Sequence, residues 1–350
     1  MKKLRILVVG PGLIGKQHIR LINENERCEL AAIVAPDDAI NQEIARDNQT
    51  KLYRSISECL DKNNIDGVVI ASPNQFHAEQ GKICIEAGIP ALIEKPITAF
   101  VEDGIALVEL AERHNAKILI GHHRAHSPLM AKACSVIQSG QLGRLVSVIG
   151  SAQFYNPSHY FVDGPWRKEI GGGPILINLI HEIGNLRALC GEISAVQAIS
   201  SSAIRNFVVE DTVAINLMFE NGALGTFLLS DTAATARSWE QTSRENPSYP
   251  TYQDEDCYSI AGTLGSLAVP TMRIKRYVQG VDPSWWTPFT EEVLEVTRQD
   301  PLGCQLDHFL DVINDKCEPR VSARDGLKNL QVVEAVCESA AKKKLVYPVY

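Results

Sequence analysis

Short, unbroken apolar runs alternate with amphipathic stretches through the first third of the chain. Residues 4–10, LRILVVG, read as a strand buried on both faces. Runs of the same kind recur as LAAIV (30–34), GVVIA (67–71), PALIE (90–94) and KILIG (117–121). A helix is expected from about Ile14 to Asn23, and helical stretches separate the later runs. With one further strand counted but not located between 34 and 67, KILIG is the sixth. Strands alternating with helices predict an α/β fold with a doubly wound parallel sheet and right-handed crossovers over residues 1–122. Beyond that the pattern changes. One helix is expected over Pro128–Gln138, followed by the alternating runs 144–155, 213–220, 223–231 and 256–263. The Asn-Gly pair at 221–222 between two of these runs is a hairpin signal. Residues 123–350 are therefore expected to form a second domain, with an antiparallel sheet and a few helices. Its last helix is expected from about Ala323. The polar stretch from Ala236 to Asp256 reads as a solvated loop or a lid.

Composition narrows the class. The chain has 350 residues, 45% hydrophobic and 22% charged, which is ordinary globular usage with room for two cores. A net charge of −8 argues against general nucleic-acid binding. Nine scattered cysteines without a CxxC pair fit reduced thiols in the cytoplasm better than a disulfide framework or a zinc site. The opening MKKLRILVVG runs into a glycine turn and lacks a cleavage site, so it is read as a strand and not as a signal peptide. No stretch reaches the length of a membrane span. These features lead us to expect a cytoplasmic protein without membrane or nucleic-acid partners.

The first strand ends in Gly10-x-Gly12-x-x-Gly15 and opens a helix. In that setting the first glycine permits the tight turn, the second lets backbone approach a pyrophosphate and the third lets helix pack on strand. The helix N–H groups then face the anion. With Leu13 and Ile14 this turn is the expected dinucleotide site. The acid that usually meets the ribose 2′-hydroxyl about 20 residues on is absent, since that position is Ala35. Asp37 and Asp38 lie just past it, where they reach back or start the next helix. No arginine or lysine adjoins Ala35 in sequence. NAD and NADP both stay open, and the two carboxylates favour NAD.

SPNQFH follows the fourth strand and EKP the fifth, so both loops lie at the carboxyl edge of the sheet, where open α/β sheets bind ligands. The glycine turn, SPNQFH and GIPALIEKPI, followed by GGGPILINLIHEIGNLRALCG (171–191) and the C-terminal segment LDHFLDVINDKCEPRVSARDGLKNLQVVEAV, resemble the Gfo/Idh/MocA oxidoreductases over nearly the whole chain. The resemblance implies a Rossmann domain followed by an α/β domain with a large open, mainly antiparallel sheet. It also implies NAD(P)-dependent hydride transfer at a hydroxyl or carbonyl of a sugar, inositol or related cyclic polyol, and a homo-oligomer, dimer or tetramer. Lys95 matches the family's catalytic lysine and His181 its helix histidine. The aspartate often found four residues before that histidine is Ile177 here, and Asn178 stands three before it.

The chemistry fits that pair. Removing a hydroxyl proton needs a group near its own pKa at working pH, where histidine starts. Lysine starts ~3 to 4 pH units too high and must be brought down by burial or positive neighbours. Strand alternation points Glu94 away from Lys95. Ser72, Pro73, Asn74, His77, Glu94 and Lys95 complete the expected coenzyme contacts, with Ala35 and Asp37. Arg124 and His126, in GHHRAHSP, are expected to line the cleft, and no carboxylate or cysteine completes a metal site there. Tyr160, Trp166 and Arg167, in the aromatic loop before the histidine helix, and Asn178 are expected to meet substrate. The two arginines keep a carboxylated ring diol or hydroxy acid open as an alternative substrate. The missing aspartate keeps a non-catalytic dinucleotide sensor open.

Overall fold

The computed structural model describes residues 2–350. Along the chain run β1 (Leu4–Val9), α1 (Leu13–Glu24), β2 (Cys28–Val34), α2 (Ala39–Asp47), β3 (Lys51–Tyr53), α3 (Ile56–Lys62), β4 (Gly67–Ile70), α4 (His77–Glu86), β5 (Ala91–Glu94), α5 (Val101–Arg113) and β6 (Ile118–Gly121). There follow α6 (Pro128–Gln138), β7 (Leu145–Gln153), α7 (Ser158–Asp163), α8 (Ile180–Cys190), β8 (Ile193–Ser201), β9 (Thr212–Phe219), β10 (Leu224–Ser230) and α9 (Trp239–Thr242). The chain ends with β11 (Tyr258–Gly262), β12 (Gly265–Val269), β13 (Arg273–Arg276), β14 (Thr290–Val293), α10 (Pro301–Ile313) and α11 (Ala323–Lys342).

The chain divides into two compact units. One comprises the chain through His123 together with Pro301–Leu330; the other comprises Arg124–Asp300 and Gln331–Tyr350. The contiguous cut expected at residue 122 therefore meets a return, because residues 301–330 pack on the first unit. The cause is apolar. Leu306, Phe309 and Leu310 of α10 join Ile6, Val8, Ile33, Val69, Leu92 and Leu119 of the sheet, with Ile19 and Ile22 of α1, in one buried cluster. Each such side chain stabilises by roughly 1.5–3 kcal/mol when buried. Gly67 lets this helix come close, since an added Cβ there would fall 2.5 Å from Ile313 and 3.2 Å from Phe309.

The first unit holds a six-stranded sheet in the order β3-β2-β1-β4-β5-β6, with every pairing parallel. The unlocated strand is β3, too short at three residues to show a period. The second unit holds an eight-stranded sheet in the order β14-β13-β12-β11-β7-β10-β9-β8. The Asn-Gly hairpin joins β9 and β10, with Gly222 N donating to Phe219 O at 2.9 Å. The β7–β10 pairing is parallel, so this sheet is mixed. Along β9, Val213, Ile215, Leu217 and Phe219 turn inward, while alternate residues face out.

The segment 236–256 is neither a free loop nor wholly solvated. Trp239, Thr242, Ser243 and Glu245 are buried, and only the part from Asn246 onward is mostly exposed. Trp285 and Trp286 are 88% and 84% exposed. Among the described residues no helix is long and apolar enough to cross a membrane.

Candidate active site

The glycine turn forms as its sequence requires. Gly10 takes φ +81°, and a Cβ there would fall 2.6 Å from the Ser72 backbone. At Gly15 a Cβ would fall 2.1 Å from the Gly10 carbonyl oxygen. Gly12, by contrast, has nothing within 4 Å of an added Cβ, so open space lies over the turn. Gly12 also caps α1 without a side-chain hydrogen bond. The first N–H groups of this 12-residue helix therefore keep no capping side chain and can meet an anion. This open cradle fits a dinucleotide pyrophosphate.

At the end of β2, Ala35 is buried and offers no polar side chain. Asp38 starts α2, accepting from Asn41 N at 2.8 Å. Asp37 accepts from Gln42 Nε2 at 2.7 Å and from Arg54 Nη2 at 2.6 Å. Those two hydrogen bonds, Arg54's first, hold its carboxyl below the usual range. Sequence adjacency shows no cation beside Ala35; the fold supplies Arg54 from the end of β3.

The loop after β4 presents Pro73 and Asn74 to solvent, while Ser72 donates to Gln80 Oε1 at 2.6 Å. His77 and Glu94, both expected to touch coenzyme, each make hydrogen bonds within the fold. His77 is 1% exposed and sets Nδ1 2.8 Å from Pro96 O and Nε2 2.9 Å from Ser72 O, tying the loops after β4 and β5 together. Burial pulls its pKa below the ordinary value against the two carbonyls, so the ring is neutral at pH 7 and donates to one carbonyl at a time. Glu94 Oε1 lies 2.8 Å from His18 Nε2, inside the fold. Burial raises the Glu94 carboxyl, but the hydrogen bond and charge of His18 outweigh it and the net direction is down. Lys95 is half-buried just past the tip of β5, and its peptide bond to Pro96 is cis.

In the second unit, His181 lies in the first turn of α8, largely buried. The helix is entered through one wide π-helical turn, Ile175–Leu179, a feature common at functional sites. Asn178 and Ile177 are half-exposed on that turn. Glu210 Oε1 accepts from Ile175 N at 2.9 Å. Gly173, at φ +79°, makes room for this contact, since a Cβ would fall 2.7 Å from Glu210 Oε1. Burial pushes the Glu210 carboxyl up.

Arg124 does not line a cleft; it is 5% exposed at the centre of a buried network. Its Nη1 donates to Glu182 Oε1 and its Nη2 to Glu240 Oε1, each at 2.5 Å. Tyr258 OH donates to Glu182 Oε2, and Asn185 Nδ2 donates to Tyr258 OH at 3.0 Å. Burial pulls the Arg124 pKa down, but Glu240 and Glu182 more than offset it, so the guanidinium stays charged. Beside it, Glu245 accepts from Ser127 Oγ at 2.5 Å and from Trp239 Nε1 at 3.1 Å, and burial pushes its pKa to about 7. Arg167 is also engaged. It lies 3.8 Å from the Tyr160 ring centroid and donates through Nη1 to the Tyr160 carbonyl. Trp166 is 56% exposed, and His126 is buried.

Two family models match the chain: an oxidoreductase family with an NAD-binding Rossmann fold over residues 4–122, and that family's C-terminal alpha/beta domain over residues 135–349. The chain belongs to the Gfo/Idh/MocA oxidoreductase family. It is 28% identical to the rhizopine catabolism protein MocA of Rhizobium meliloti over 194 residues, covering 55% of this chain and 59% of MocA. It is 29% identical to the inositol 2-dehydrogenase of Corynebacterium glutamicum over 229 residues, covering 64% of this chain and 66% of that enzyme. Both matches span less than two thirds of the relative's length. The crystal structure of the WlbA dehydrogenase from Bordetella pertussis, in complex with NADH and UDP-GlcNAcA, shares the fold with a TM-score of 0.79 at 23% identity over 100% of both chains.

Several residues of this Gfo/Idh/MocA chain with partners distant in sequence escape a sequence reading. His18 is fully buried against Glu94, yet a lone histidine on α1 carries no sequence signal. Glu182 follows His181 directly, and a carboxylate on an apolar helix face is the one hint that a buried cation awaits it. Arg54 announces itself only through strand register.

Proposed function

We propose that this chain is an NAD(H)-dependent dehydrogenase that exchanges a hydride with a hydroxyl-bearing carbon of a neutral polyol, such as an inositol or cyclic sugar. The observation that carries this reading is the shared edge. The Gly10 turn follows β1 and Lys95 follows β5 in one parallel sheet, so both lie at the carboxyl ends of its strands, where such sheets bind ligand. Bound there, the nicotinamide supplies the hydride acceptor. The glycine-turn N–H groups hold the pyrophosphate. Lys95, at that same edge, is the group of this unit that receives the hydroxyl proton. Membership of the family and the likeness to an inositol 2-dehydrogenase support the substrate class.

The fate of the arginines favours a neutral substrate over a carboxylated one. Arg124 already carries two carboxylates, and Arg167 is folded over Tyr160. The same reading includes self-association. The outward face of the eight-stranded sheet exposes Ile149, Ile199, Met218, Leu224 and Leu228, an apolar surface of the kind a second copy covers.

The test is direct. Purified protein is mixed with NAD⁺ and, in turn, inositols, cyclic sugars and carboxylated ring diols, and reduced nicotinamide is followed by absorbance. Turnover with a neutral polyol is expected; turnover with the carboxylated diols alone would reverse the substrate assignment, and none with any member would favour a sensor. Sedimentation velocity reads the self-association, and a monomer at micromolar concentration would remove it.

A further inference from the structure

We infer that the connection between β8 and β9, residues 202–211, positions two substrate-bearing segments of the second unit at once. Arg205 holds the aromatic loop and Glu210 holds the π-helical turn. The inference rests on the polyol reading, with Tyr160, Trp166 and Asn178 as the expected substrate contacts of this unit, and adds what sets their places.

The connection is braced within itself. Its ends close where Asp211 N donates to Ser201 O at 2.8 Å. The buried Asp211 carboxylate accepts from Ile204 N at 2.9 Å, from Arg205 N at 3.0 Å and from Thr212 Oγ1 at 2.8 Å. Asn206 turns the chain at φ +54°, and its N donates to Ser202 O at 2.8 Å. A segment tied this closely to its own strand ends is a firm base for whatever it holds.

From that base Arg205 spans the root of the aromatic loop. Its Nε donates to Asp231 Oδ1 at 2.6 Å, and its Nη2 donates to the carbonyl of Asn156 at 2.9 Å and to that of Asp231. The Arg205 and Asp231 side chains are 9% and 6% exposed. Only a planar fork serves a carboxylate and a neighbouring carbonyl together. The guanidinium also lies 4.5 Å from the centre of the Phe161 ring, which Phe207 of the same connection meets at 5.0 Å. Phe161 meets Tyr160 edge-on at 5.2 Å, so the grip passes to a ring expected to face substrate. Five residues after Arg205, Glu210 accepts from Ile175 N at the start of the turn that bears Asn178. Both residues act through the segments they hold and are positioning residues.

The experiment is a steady-state comparison on the full chain, with NAD⁺ and a polyol that the unsubstituted protein turns over. Arg205→Lys keeps a cation for Asp231 but loses the fork that also holds Asn156. It should raise the KM for polyol about tenfold or more, since binding groups misplaced by ~1 Å cost up to about 10²-fold. The kcat and the KM for NAD⁺ should stay near those of the unsubstituted chain, the signature of lost substrate binding. Glu210→Ala should act in the same direction, and Glu210→Gln, which keeps an acceptor for Ile175 N, should restore the polyol KM. Arg205→Met with Asp231→Leu removes both buried charges together, which leaves the fold intact, and should repeat the Arg205→Lys result. An unchanged polyol KM in the Arg205 variants, a KM for NAD⁺ that rises in step with it, or no rescue by Glu210→Gln would overturn the positioning role. Absence of turnover with every polyol in the unsubstituted chain would instead remove the dehydrogenase reading, and the positioning role with it.

Discussion

Glu94 turns its carboxylate inward onto His18, with Oε1 2.8 Å from Nε2, although Lys95 is its neighbour in the chain. His18 is on α1, the helix that opens at the glycine turn, so this contact ties the turn's helix to the strand that presents Lys95. Leaving a buried polar group without its hydrogen-bond partner costs about 1–3 kcal/mol. His18→Ala should therefore lower the urea midpoint by that equivalent and weaken NADH binding, both read in one titration series. An unchanged midpoint would show that Glu94 needs no partner there.

Lys95 is proposed to serve the chemistry more than it anchors the dinucleotide, although it is expected to touch both. Lys95→Met should leave the NADH dissociation constant within about threefold, while turnover of an accepted polyol falls by ~10²–10⁴, the usual worth of a positioned proton-transfer group. Loss of NADH binding with turnover otherwise intact at saturation would move Lys95 to a purely binding role.

Glu245 gives the second unit a pH dependence whose sign can be worked out. Its folded pKa is raised to about 7 by burial. Between the usual carboxylate range and pH 7 the folded state holds a proton that the unfolded chain has released. Stability should then fall as pH rises through that window, by up to about 1.4 kcal/mol per pH unit, and level off above it. Glu245→Gln should flatten this slope in denaturant melts between pH 5 and 8. A slope unchanged by the substitution would place its origin elsewhere.

Gly12 and Gly15 separate binding from folding. A methyl at Gly12 meets open space, so Gly12→Ala should change stability by less than about 1 kcal/mol and yet weaken NADH binding, because that space is the one proposed for the pyrophosphate. A methyl at Gly15 would fall 2.1 Å from the Gly10 carbonyl oxygen. Gly15→Ala should therefore destabilise by about 1–3 kcal/mol as α1 is forced off the turn. Thermal melts alongside NADH titrations distinguish the two.

Buried parallel strands with a glycine turn are legible because their periodicity and turn chemistry are local. So are the Asn-Gly hairpin and the proline-started helix α6, found at Pro128–Gln138 as read. What stays hidden depends on contacts distant in sequence. The strand β3 has three residues, and β13 and β14 have four each, below the length at which alternation shows. The parallel β7–β10 pairing follows from sheet order, which no local pattern encodes. Arg124 looks like a cleft cation until Glu182 and Glu240, 58 and 116 residues away, are brought to it. Arg54 looks like a surface residue until register places it beside Ala35. The π-helical turn before His181 depends on Glu210 capping Ile175 from another loop.

Pro301–Leu330 has a consequence for how the chain is made. The first unit's sheet is complete in order of synthesis once β6 has left the ribosome. Its cover of Leu306, Phe309 and Leu310 is translated nearly two hundred residues later. Until then the part of that face which α10 covers stands bare, a span in which a nascent chain invites chaperones and sticks to its neighbours. A gene cut after codon 122 would make that exposed state permanent, and the fragment should precipitate where the whole chain stays in solution.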